Sequence, residues 1–359
     1  MRVFNFSAGP AMLPLEVLER VRDELTDWRS SGASVMEISH RSKAFIAVAQ
    51  QAEADVRELL GIGADYRVLF LQGGATGQFS AIPMNLAPQG ATVDYVNTGH
   101  WSKKALGDAR RYCKVNVAAD GAASGYTAIP PESTWQRSAD AAYLHYTPNE
   151  TIGGVEFHFI PDVRDVPLVA DMSSTLLSRP IDVSRFGLIY AGAQKNMGPS
   201  GITLVIVRDD LLGRARPGTP LVLDYKAMAD EGSMLNTPPT FAWYIAGLVF
   251  DWLKRQGGLA RMAEINLAKA DTLYDAIDAS AFYRNAVPKD CRSWMNVPFT
   301  LARPELDQQF LAGAQAAGLT NLAGHRAVGG MRASLYNAMP LAGVAALVEF
   351  MQEFARKNG

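Results

Sequence analysis

A single lysine interrupts two apolar runs near the middle of the chain. Residues 187–191 and residues 202–207 are rich in residues that favour β-strands, and a loop of small residues between them contains Lys195. Burial between two strands disfavours the ammonium form of a lysine, so packing alone does not explain this position. A desolvated lysine loses its proton more easily and can form a Schiff base with an aldehyde. Taken alone, however, a lysine in a turn is more often an ordinary surface residue.

An aspartate ends the preceding apolar strand. Residues 167–170 are apolar, Asp171 follows them, and small polar residues come next. Ligands of open α/β sheets bind at the carboxyl ends of the strands, which is where Asp171 lies. An aspartate and a Schiff-base lysine on neighbouring strand ends suit pyridoxal 5'-phosphate (PLP), because the acid keeps the pyridine nitrogen protonated and the ring can then accept electrons. Asp171 alone could equally be a helix N-cap, whereas the pair is much more specific.

Composition and charge exclude several classes of protein. The 359 residues are 48% hydrophobic, which is ample for a large core, and the length suggests two domains. The net charge is −2 and no basic stripe is visible, so we expect no nucleic-acid partner. The longest uncharged apolar run, residues 241–250, is shorter than the ~20 residues that span a bilayer. The first residues reach Gly9 and Pro10 too soon for a secretory signal, so we expect no membrane partner.

The chain has two cysteines, Cys113 and Cys291. No cluster of cysteine and histidine has the spacing of metal ligands, so we predict no metal site. Reducing compartments keep thiols free, and we therefore expect two structural thiols and a cytoplasmic location.

The apolar runs recur along the chain as candidate strands. They lie near residues 68, 93, 142, 168, 187 and 202, mostly separated by helical or loop segments, and predict an α/β large domain. Two prolines precede a helix predicted over residues 241–254, and Gly257 with Gly258 marks a hinge. Helices and strands then alternate, which predicts a small α+β domain. The predicted units are an N-terminal arm (1–15), a large domain (16–256) and a small domain (257–359).

Three candidate ligand contacts follow the first strands. The glycine-rich turn at residues 72–78 leads from a strand into a helix, as a phosphate-binding turn does, although such turns are often glycine-rich for geometry alone. It is neither a Walker loop nor a dinucleotide fingerprint. Trp101 could stack on an aromatic cofactor or simply pack in the core. Thr151 could hydrogen-bond a ligand oxygen or only stabilise its turn.

Two segments concentrate cationic side chains. His40 and Arg41 precede a helix predicted over residues 43–60, where they could hold an anion or be ordinary surface residues. The glycine-rich loop at residues 324–332 contains His325, Arg326 and Arg332. Arg332 begins a strand, so its guanidinium could clamp a carboxylate through two hydrogen bonds, and a solvated turn is the alternative.

Together these segments resemble the phosphoserine aminotransferases, which are class-V, PLP-dependent transaminases of fold type I. The resemblance covers essentially the whole chain and is most specific at residues 5–11, 99–102, 191–196 and 324–334. It implies a large domain with a mostly parallel, seven-stranded sheet and a small C-terminal α+β domain. It also implies a homodimer with shared active sites.

The resemblance gives each candidate residue a role. The catalytic residues would be Lys195, which carries the cofactor, Asp171, which pairs with the pyridine nitrogen, and Trp101, which stacks on the ring. The residues that contact PLP would be Ala75, Thr76, Trp101, Thr151, Asp171, Gln194 and Lys195, with Asn236 and Thr237 of the second subunit. The residues that bind substrate would be His40, Arg41, His325, Arg326 and Arg332.

The implied reaction is reversible amino transfer from L-glutamate to 3-phosphohydroxypyruvate, which gives 2-oxoglutarate and O-phospho-L-serine for serine biosynthesis. In bacteria the family also aminates a phosphorylated hydroxythreonine precursor of pyridoxine, and we carry that reaction over as an additional expectation. The chain departs from some members at Ala75 and Thr76, where they have Gly-Arg, and at Ala8, where they have serine. With Ala75 and Thr76 in place of Gly-Arg, the backbone N–H donors are kept, whereas the contact from a cationic side chain is lost.

Three other classes of protein are compatible with parts of this pattern. A PLP lyase or desulfurase would keep Asp171 and Lys195, but a desulfurase needs a reactive cysteine on a mobile loop, and neither Cys113 nor Cys291 has that context. An aminotransferase for unphosphorylated substrates would not need the cationic groups. A nucleotide-binding module without enzymatic activity would explain the glycine-rich turn but not Lys195 with Asp171.

Overall fold

The computed structural model describes residues 2–163, 166–326 and 328–359. The strands are β1 (Phe4–Asn5), β2 (Tyr66–Leu71), β3 (Thr92–Asn97), β4 (Lys114–Asp120), β5 (Leu144–Tyr146), β6 (Asn149–Glu150), β7 (Val155–Glu156), β8 (Leu168–Asp171), β9 (Leu188–Gly192), β10 (Thr203–Arg208), β11 (Tyr283–Arg284), β12 (Asn296–Leu301), β13 (Leu319–Thr320) and β14 (Met331–Ser334). The α-helices are α1 (Leu15–Glu24), α2 (Lys43–Leu60), α3 (Gly74–Leu86), α4 (His100–Ala109), α5 (Tyr225–Asp230), α6 (Thr240–Arg255), α7 (Gly258–Asp278), α8 (Asp307–Ala316) and α9 (Leu341–Asn358).

A seven-stranded sheet forms the centre of the fold, in the order β2-β10-β9-β8-β5-β3-β4. Only β10 runs against its neighbours, β2 and β9, and the other adjacent pairs are parallel. The predicted seven-stranded, mostly parallel sheet is therefore confirmed. Strands covered on both faces read as continuous apolar runs, which is why β8, β9 and β10 were visible in the sequence.

Successive side chains of the central strands pack into two different hydrophobic clusters. Ile189 and Ala191 of β9 join the cluster that contains residues of α1, α2 and α6. Leu188 and Tyr190 of the same strand join the cluster that contains residues of α3, α4 and α5. Because strand residues alternate between faces, helices cover both sides of the sheet.

The C-terminal segment has a hydrophobic cluster of its own. Strands β11, β12 and β14 form a three-stranded antiparallel sheet, and α7, α8 and α9 pack with it. The N-terminal strand β1 pairs in parallel with β13, and Phe6 is fully buried in this same cluster. The N-terminal arm is thus fastened to the C-terminal segment.

Two local predictions differ from the structure. The apolar spacing of residues 15, 18, 21 and 25 predicts a helix over residues 15–28. That helix ends at Glu24, because the Asp27 carboxylate accepts a hydrogen bond from the Gly32 backbone N–H and closes a tight turn. The edge strand β4 was not predicted at all. No helix within the described ranges is long and apolar enough to cross a membrane.

Candidate active site

The Lys195 loop follows β9 and returns into β10. The loop is closed by backbone hydrogen bonds from Ala193 N–H to Ile202 O at 3.0 Å and from Gly198 N–H to Ala193 O at 2.9 Å. Next to the lysine, Asn196 accepts a hydrogen bond from the Asn337 N–H at 3.0 Å, which ties the loop to the C-terminal segment. The loop is therefore fixed at both of its ends and at its side.

The Lys195 amine is buried, with 9% of the residue exposed, and donates to the Thr151 hydroxyl at 2.7 Å. The pKa of Lys195 is lowered to about 8, chiefly by burial and in part by the Arg332 guanidinium, while the Asp171 and Glu150 carboxylates oppose the shift. A substantial fraction of the amine is thus neutral near physiological pH. A neutral amine is the form that attacks an aldehyde.

Asp171 ends β8, the strand adjacent to β9. Its Oδ1 atom accepts hydrogen bonds from the Ser173 N–H at 3.0 Å and from the Ser173 hydroxyl at 2.6 Å. Burial raises the pKa of Asp171 above its ordinary value, and Ser173, Lys195 and Tyr190 only partly oppose this rise. These donors favour the carboxylate and hold its orientation, which is what pairing with a protonated ring nitrogen requires.

Trp101 lies in the first turn of α4, and the centroid of its ring is 5.9 Å from the Lys195 amine. The ring Nε1 is buried without a hydrogen-bond partner. The buried Glu150 carboxylate accepts hydrogen bonds from the Trp101 N–H at 3.0 Å and from the Ser102 N–H at 2.8 Å. Glu150 therefore fixes the helix end that carries the aromatic ring, directly beside Thr151.

Arg332 lies on β14, and its Nη1 donates to the Thr151 carbonyl at 3.4 Å. Its Nε is buried without a partner, and burial lowers the pKa of the guanidinium. A half-buried guanidinium with a buried, unused donor is suited to a carboxylate ligand. Thr151 is thus the residue at which Lys195 and Arg332 meet.

Two of the residues expected to contact PLP lie at the start of α3. Gly73, at φ 94°, provides the left-handed turn before the helix, and this N-terminus has no side-chain cap. Ala75 and Thr76 occupy the first turn, whose backbone N–H groups favour an anion. Gln194 is half-buried next to Lys195, and its side chain occupies the space that a Cβ at Gly192 would need.

His325 and Arg326 begin the C-terminal cationic loop, in which Ala327 lies outside the described residues. The His325 ring is 5.4 Å from the His100 ring, which in turn contacts Trp101 edge-on. Burial lowers the pKa of His325, as do the nearby charges of His100 and Arg332. Arg326 is exposed.

The remaining predicted residues stand apart from this cluster. His40 and Arg41 precede Ser42, the N-cap of α2, and Asn236 and Thr237 are exposed before α6. In the described part of the chain, neither pair makes a hydrogen bond, ion pair or ring contact with Lys195, Asp171 or Trp101. The Thr237 carbonyl accepts a hydrogen bond from Gln72 at 3.3 Å, just before the glycine-rich turn.

Sequence reasoning missed three residues that shape the site. Ser173 could have been found, because a serine two residues after an aspartate commonly donates to its carboxylate. Glu150 is far from Trp101 in sequence, so no local pattern indicates their contact. Tyr190 looked like an ordinary apolar residue of a buried strand.

Comparison with known proteins places this geometry in a family. The pattern described as Aminotransferase class-V matches residues 3–347, so the chain belongs to the class-V aminotransferase family. Curated relatives to which it is similar over nearly their full lengths include phosphoserine aminotransferases. That of Azotobacter vinelandii is 61% identical, covering 100% of this chain and 99% of the relative, and that of Pseudomonas aeruginosa has the same identity and coverage.

Solved structures agree with this assignment. The phosphoserine aminotransferase of Bacillus circulans subsp. alkalophilus is 48% identical with a TM-score of 0.98, covering 100% of this chain and 99% of that one. The PLP-bound phosphoserine aminotransferase of Trichomonas vaginalis is 43% identical with a TM-score of 0.94, covering 98% and 100%. The predicted family and the predicted fold type are confirmed.

Proposed function

We propose that this protein is a PLP-dependent phosphoserine aminotransferase, which exchanges an amino group between L-glutamate and 3-phosphohydroxypyruvate in serine biosynthesis. The observation that carries the proposal is the buried Lys195 amine, held by Thr151 at 2.7 Å beside Asp171 and Trp101, in a chain 61% identical to enzymes of that name. As predicted from the pair of Lys195 and Asp171, the cofactor is pyridoxal 5'-phosphate.

The chemistry of the donor set fits this cofactor. An aldehyde requires a neutral amine, which Lys195 supplies because burial lowers its pKa. A ring nitrogen requires an oriented carboxylate, which Asp171 supplies, and a phosphate requires backbone donors, which the uncapped start of α3 supplies. The ring of Trp101 supplies the flat apolar surface. Asp171, Lys195, Trp101, Thr151, Ala75, Thr76 and Gln194 would therefore hold the cofactor.

When bound, PLP supplies the electron sink that takes up the negative charge of the substrate α-carbon. The Lys195 amine removes the proton from that carbon and returns it during the transfer, since a base with a pKa near the working pH is the most efficient. Thr151 orients the amine through its hydroxyl. The Asp171 carboxylate would hold the ring nitrogen, and Trp101 would shield the reacting atoms from water.

The anionic groups of the proposed substrates explain why cationic side chains lie near the site. Glutamate and phosphoserine share an α-carboxylate, which Arg332 binds through the donors that it leaves unused in the protein. Their distal carboxylate and phosphate fit His325 and Arg326, with His40 and Arg41 as further candidates. Because the net charge is −2, attraction of these anions depends on this local cluster.

The cysteines argue against a desulfurase. Burial raises the pKa of the Cys113 thiol to about 11 and also raises the pKa of Cys291. Raised values leave little thiolate, which is the reactive form. An amino-transfer mechanism without a cysteine nucleophile is the better fit to the site.

The deciding experiment is an amino-transfer assay with three competing donors to 2-oxoglutarate: phosphoserine, serine and alanine. We expect a strong preference for phosphoserine over serine, which has the same skeleton without the phosphate. If serine and alanine reacted as fast as phosphoserine, the protein would be an aminotransferase for unphosphorylated substrates. No transfer with any donor, although the protein binds PLP, would indicate a lyase. A phosphorylated hydroxythreonine, used as a fourth donor, would test the second family reaction.

We further propose a homodimer in which Asn236 and Thr237 reach the partner's phosphate site. Both residues are exposed, and neither caps α6, whose N-cap is Pro239 without a side-chain hydrogen bond. These two polar residues could instead have capped the following helix, but the structure shows no such cap. An exchange between subunits would explain two polar residues on a stiff, proline-bordered segment. The cytoplasmic location and the division into units 1–15, 16–256 and 257–359 stay predictions.

A further inference from the structure

A hydrogen-bond chain runs behind Asp171, away from Lys195. Tyr190 pairs in register with Asp171 across β9 and β8, so their side chains share one face of the sheet, and the Tyr190 hydroxyl lowers the pKa of the Asp171 carboxyl. The same hydroxyl lies 2.9 Å from the His145 Nε2. Tyr190 and His145 are both at most 1% exposed. They lie on β9 and β5, which flank β8, the strand that ends in Asp171. Such a polar chain inside a sheet is costly unless each donor meets an acceptor.

Which atoms donate and which accept along this chain follows from the protonation state of His145. Burial lowers the pKa of His145 to about 3, so the imidazole is neutral and carries one N–H. The His145 Nδ1 is buried without a partner. If Nδ1 carried the proton, a buried donor would be unsatisfied and Tyr190 would have to donate to His145, leaving Asp171 facing an oxygen lone pair. If Nε2 carries it, His145 donates to Tyr190 and Tyr190 donates to Asp171.

The second arrangement satisfies both donors and leaves only the Nδ1 lone pair without a partner, which costs less than an unsatisfied N–H. Packing holds the imidazole in place for this role. The His145 ring is stacked on Tyr95 at 4.6 Å with an interplanar angle of 22°. The His145 ring therefore cannot turn away from Tyr190 without losing its stacking contact with Tyr95.

We propose that Tyr190 and His145 are positioning residues that deliver a directed hydrogen bond to Asp171, and thereby keep its carboxylate ionised and aimed at the pyridine nitrogen of PLP. The inference rests on the proposed cofactor. Asp171 needs this support because burial alone would favour its neutral form, which cannot pair with a protonated ring. Ser173 supplies two donors from one side and Tyr190 supplies the third.

The test compares cofactor affinities rather than rates. Tyr190→Phe removes one oxygen and keeps the ring, and Tyr143→Phe is the matched control, because Tyr143 is equally buried in the same tyrosine cluster but bonds to Tyr95. The dissociation constant of the apoenzyme is measured for PLP and for its analogue in which C–H replaces the ring nitrogen. Loss of a hydrogen bond to a charged group should weaken PLP binding about 10- to 100-fold in Tyr190→Phe.

The analogue has no ring nitrogen for Asp171 to pair with, so its affinity should change much less in Tyr190→Phe. Tyr143→Phe should bind both compounds like the wild type. His145→Phe keeps the stack on Tyr95 but loses the N–H, and should weaken PLP in the same direction. His145→Gln can place an N–H near the position of Nε2 and should restore part of the affinity.

Three results would overturn the inference: equal weakening of PLP and the analogue in Tyr190→Phe, unchanged PLP affinity in that variant, or the same loss in Tyr143→Phe. Thermal unfolding of each apoenzyme identifies a variant that has lost its fold, and the two ligands are compared only in variants that unfold like the wild type. If the wild-type apoenzyme fails to bind PLP, the proposed function fails instead.

Discussion

Lys195 donates to the Thr151 hydroxyl at 2.7 Å, and the carbonyl of the same threonine accepts from Arg332 at 3.4 Å. One residue therefore sets the spacing between the amine that would carry the cofactor and the guanidinium that would bind the substrate α-carboxylate. The two cations also repel each other, which contributes to the lowered pKa of Lys195. Thr151 therefore links the position of the reactive amine to the position of the guanidinium that would bind substrate.

The lowered pKa of Lys195 predicts how PLP attachment depends on pH. The neutral amine is the nucleophile, so the attachment rate should rise with pH and level off above a midpoint at about 8, far below the ordinary lysine pKa of 10.5. Rapid-mixing absorbance of PLP with apoenzyme measures the rate, and a blocked free lysine provides the reference. Borohydride reduction and peptide mapping should then place a pyridoxyl group on Lys195. A rate still rising at pH 10, or a label on another lysine, would contradict the assignment.

Asp171→Asn should retain the fold and some PLP but transaminate very poorly. Breaking a buried ion pair costs ~3–5 kcal/mol, and if the transition state bears most of this cost the turnover falls by roughly two to four decades. Asp182→Asn is the matched control, because Asp182 accepts from the N–H and hydroxyl of Ser184 in the same way that Asp171 does from Ser173, but is exposed. The prediction is checked by measuring the steady-state turnover of both variants. Near-normal turnover in Asp171→Asn would exclude the electron-sink role.

The two predicted anion contacts should be separable by substrate. Arg332→Leu should weaken glutamate and phosphoserine alike, by about 10- to 100-fold in KM, because both present an α-carboxylate. His325→Ala and Arg326→Ala should weaken phosphoserine more than serine, because a phosphate dianion carries more charge. Arg284→Ala, an exposed arginine on β11, is the control. Equal losses for phosphoserine and serine would show that His325 and Arg326 do not contact the phosphate.

The sequence predicted the part of the fold in which burial is complete. Strands β8, β9 and β10 are buried along nearly their whole length, so they read as apolar runs between turns. The edge strand Lys114–Asp120 was missed because it is only partly buried, with polar residues among its apolar ones. An edge strand gains much of its stability from one neighbouring strand, and a sequence pattern does not reveal that neighbour.

Among the site residues, too, those with a local sequence signal were predicted and those that depend on distant contacts were not. Lys195 and Asp171 were found because each is a charged residue at the end of an apolar strand. Glu150 and Tyr190 act through contacts that join distant segments, which local patterns do not encode. His145 gave a usable signal, since a histidine inside a short buried strand needs a hydrogen-bond partner, and here that partner is Tyr190.

The shared active site is tested by mixing two inactive variants. Lys195→Ala subunits keep Asn236 and Thr237, and a second variant, with both of those residues changed to alanine, keeps Lys195. A heterodimer then contains one site that has its own Lys195 and intact donors from the partner. We expect activity to recover to at most about half that of a wild-type dimer per heterodimer, because only one of its two sites is complete.

The control for this mixture pairs Lys195→Ala with Asp171→Asn. The structure places Lys195 and Asp171 in the same site of one chain, so each heterodimer site lacks one of the two residues and no activity should return. Recovery in the first mixture but not in the second is therefore specific to exchange across the subunit interface. Bound PLP should also stabilise the dimer against dilution, because a cofactor held by two chains favours their association. No recovery in the first mixture, with heterodimers demonstrated by differential tags, would place Asn236 and Thr237 in their own chain, where the hydrogen bond from Gln72 to the Thr237 carbonyl already holds them.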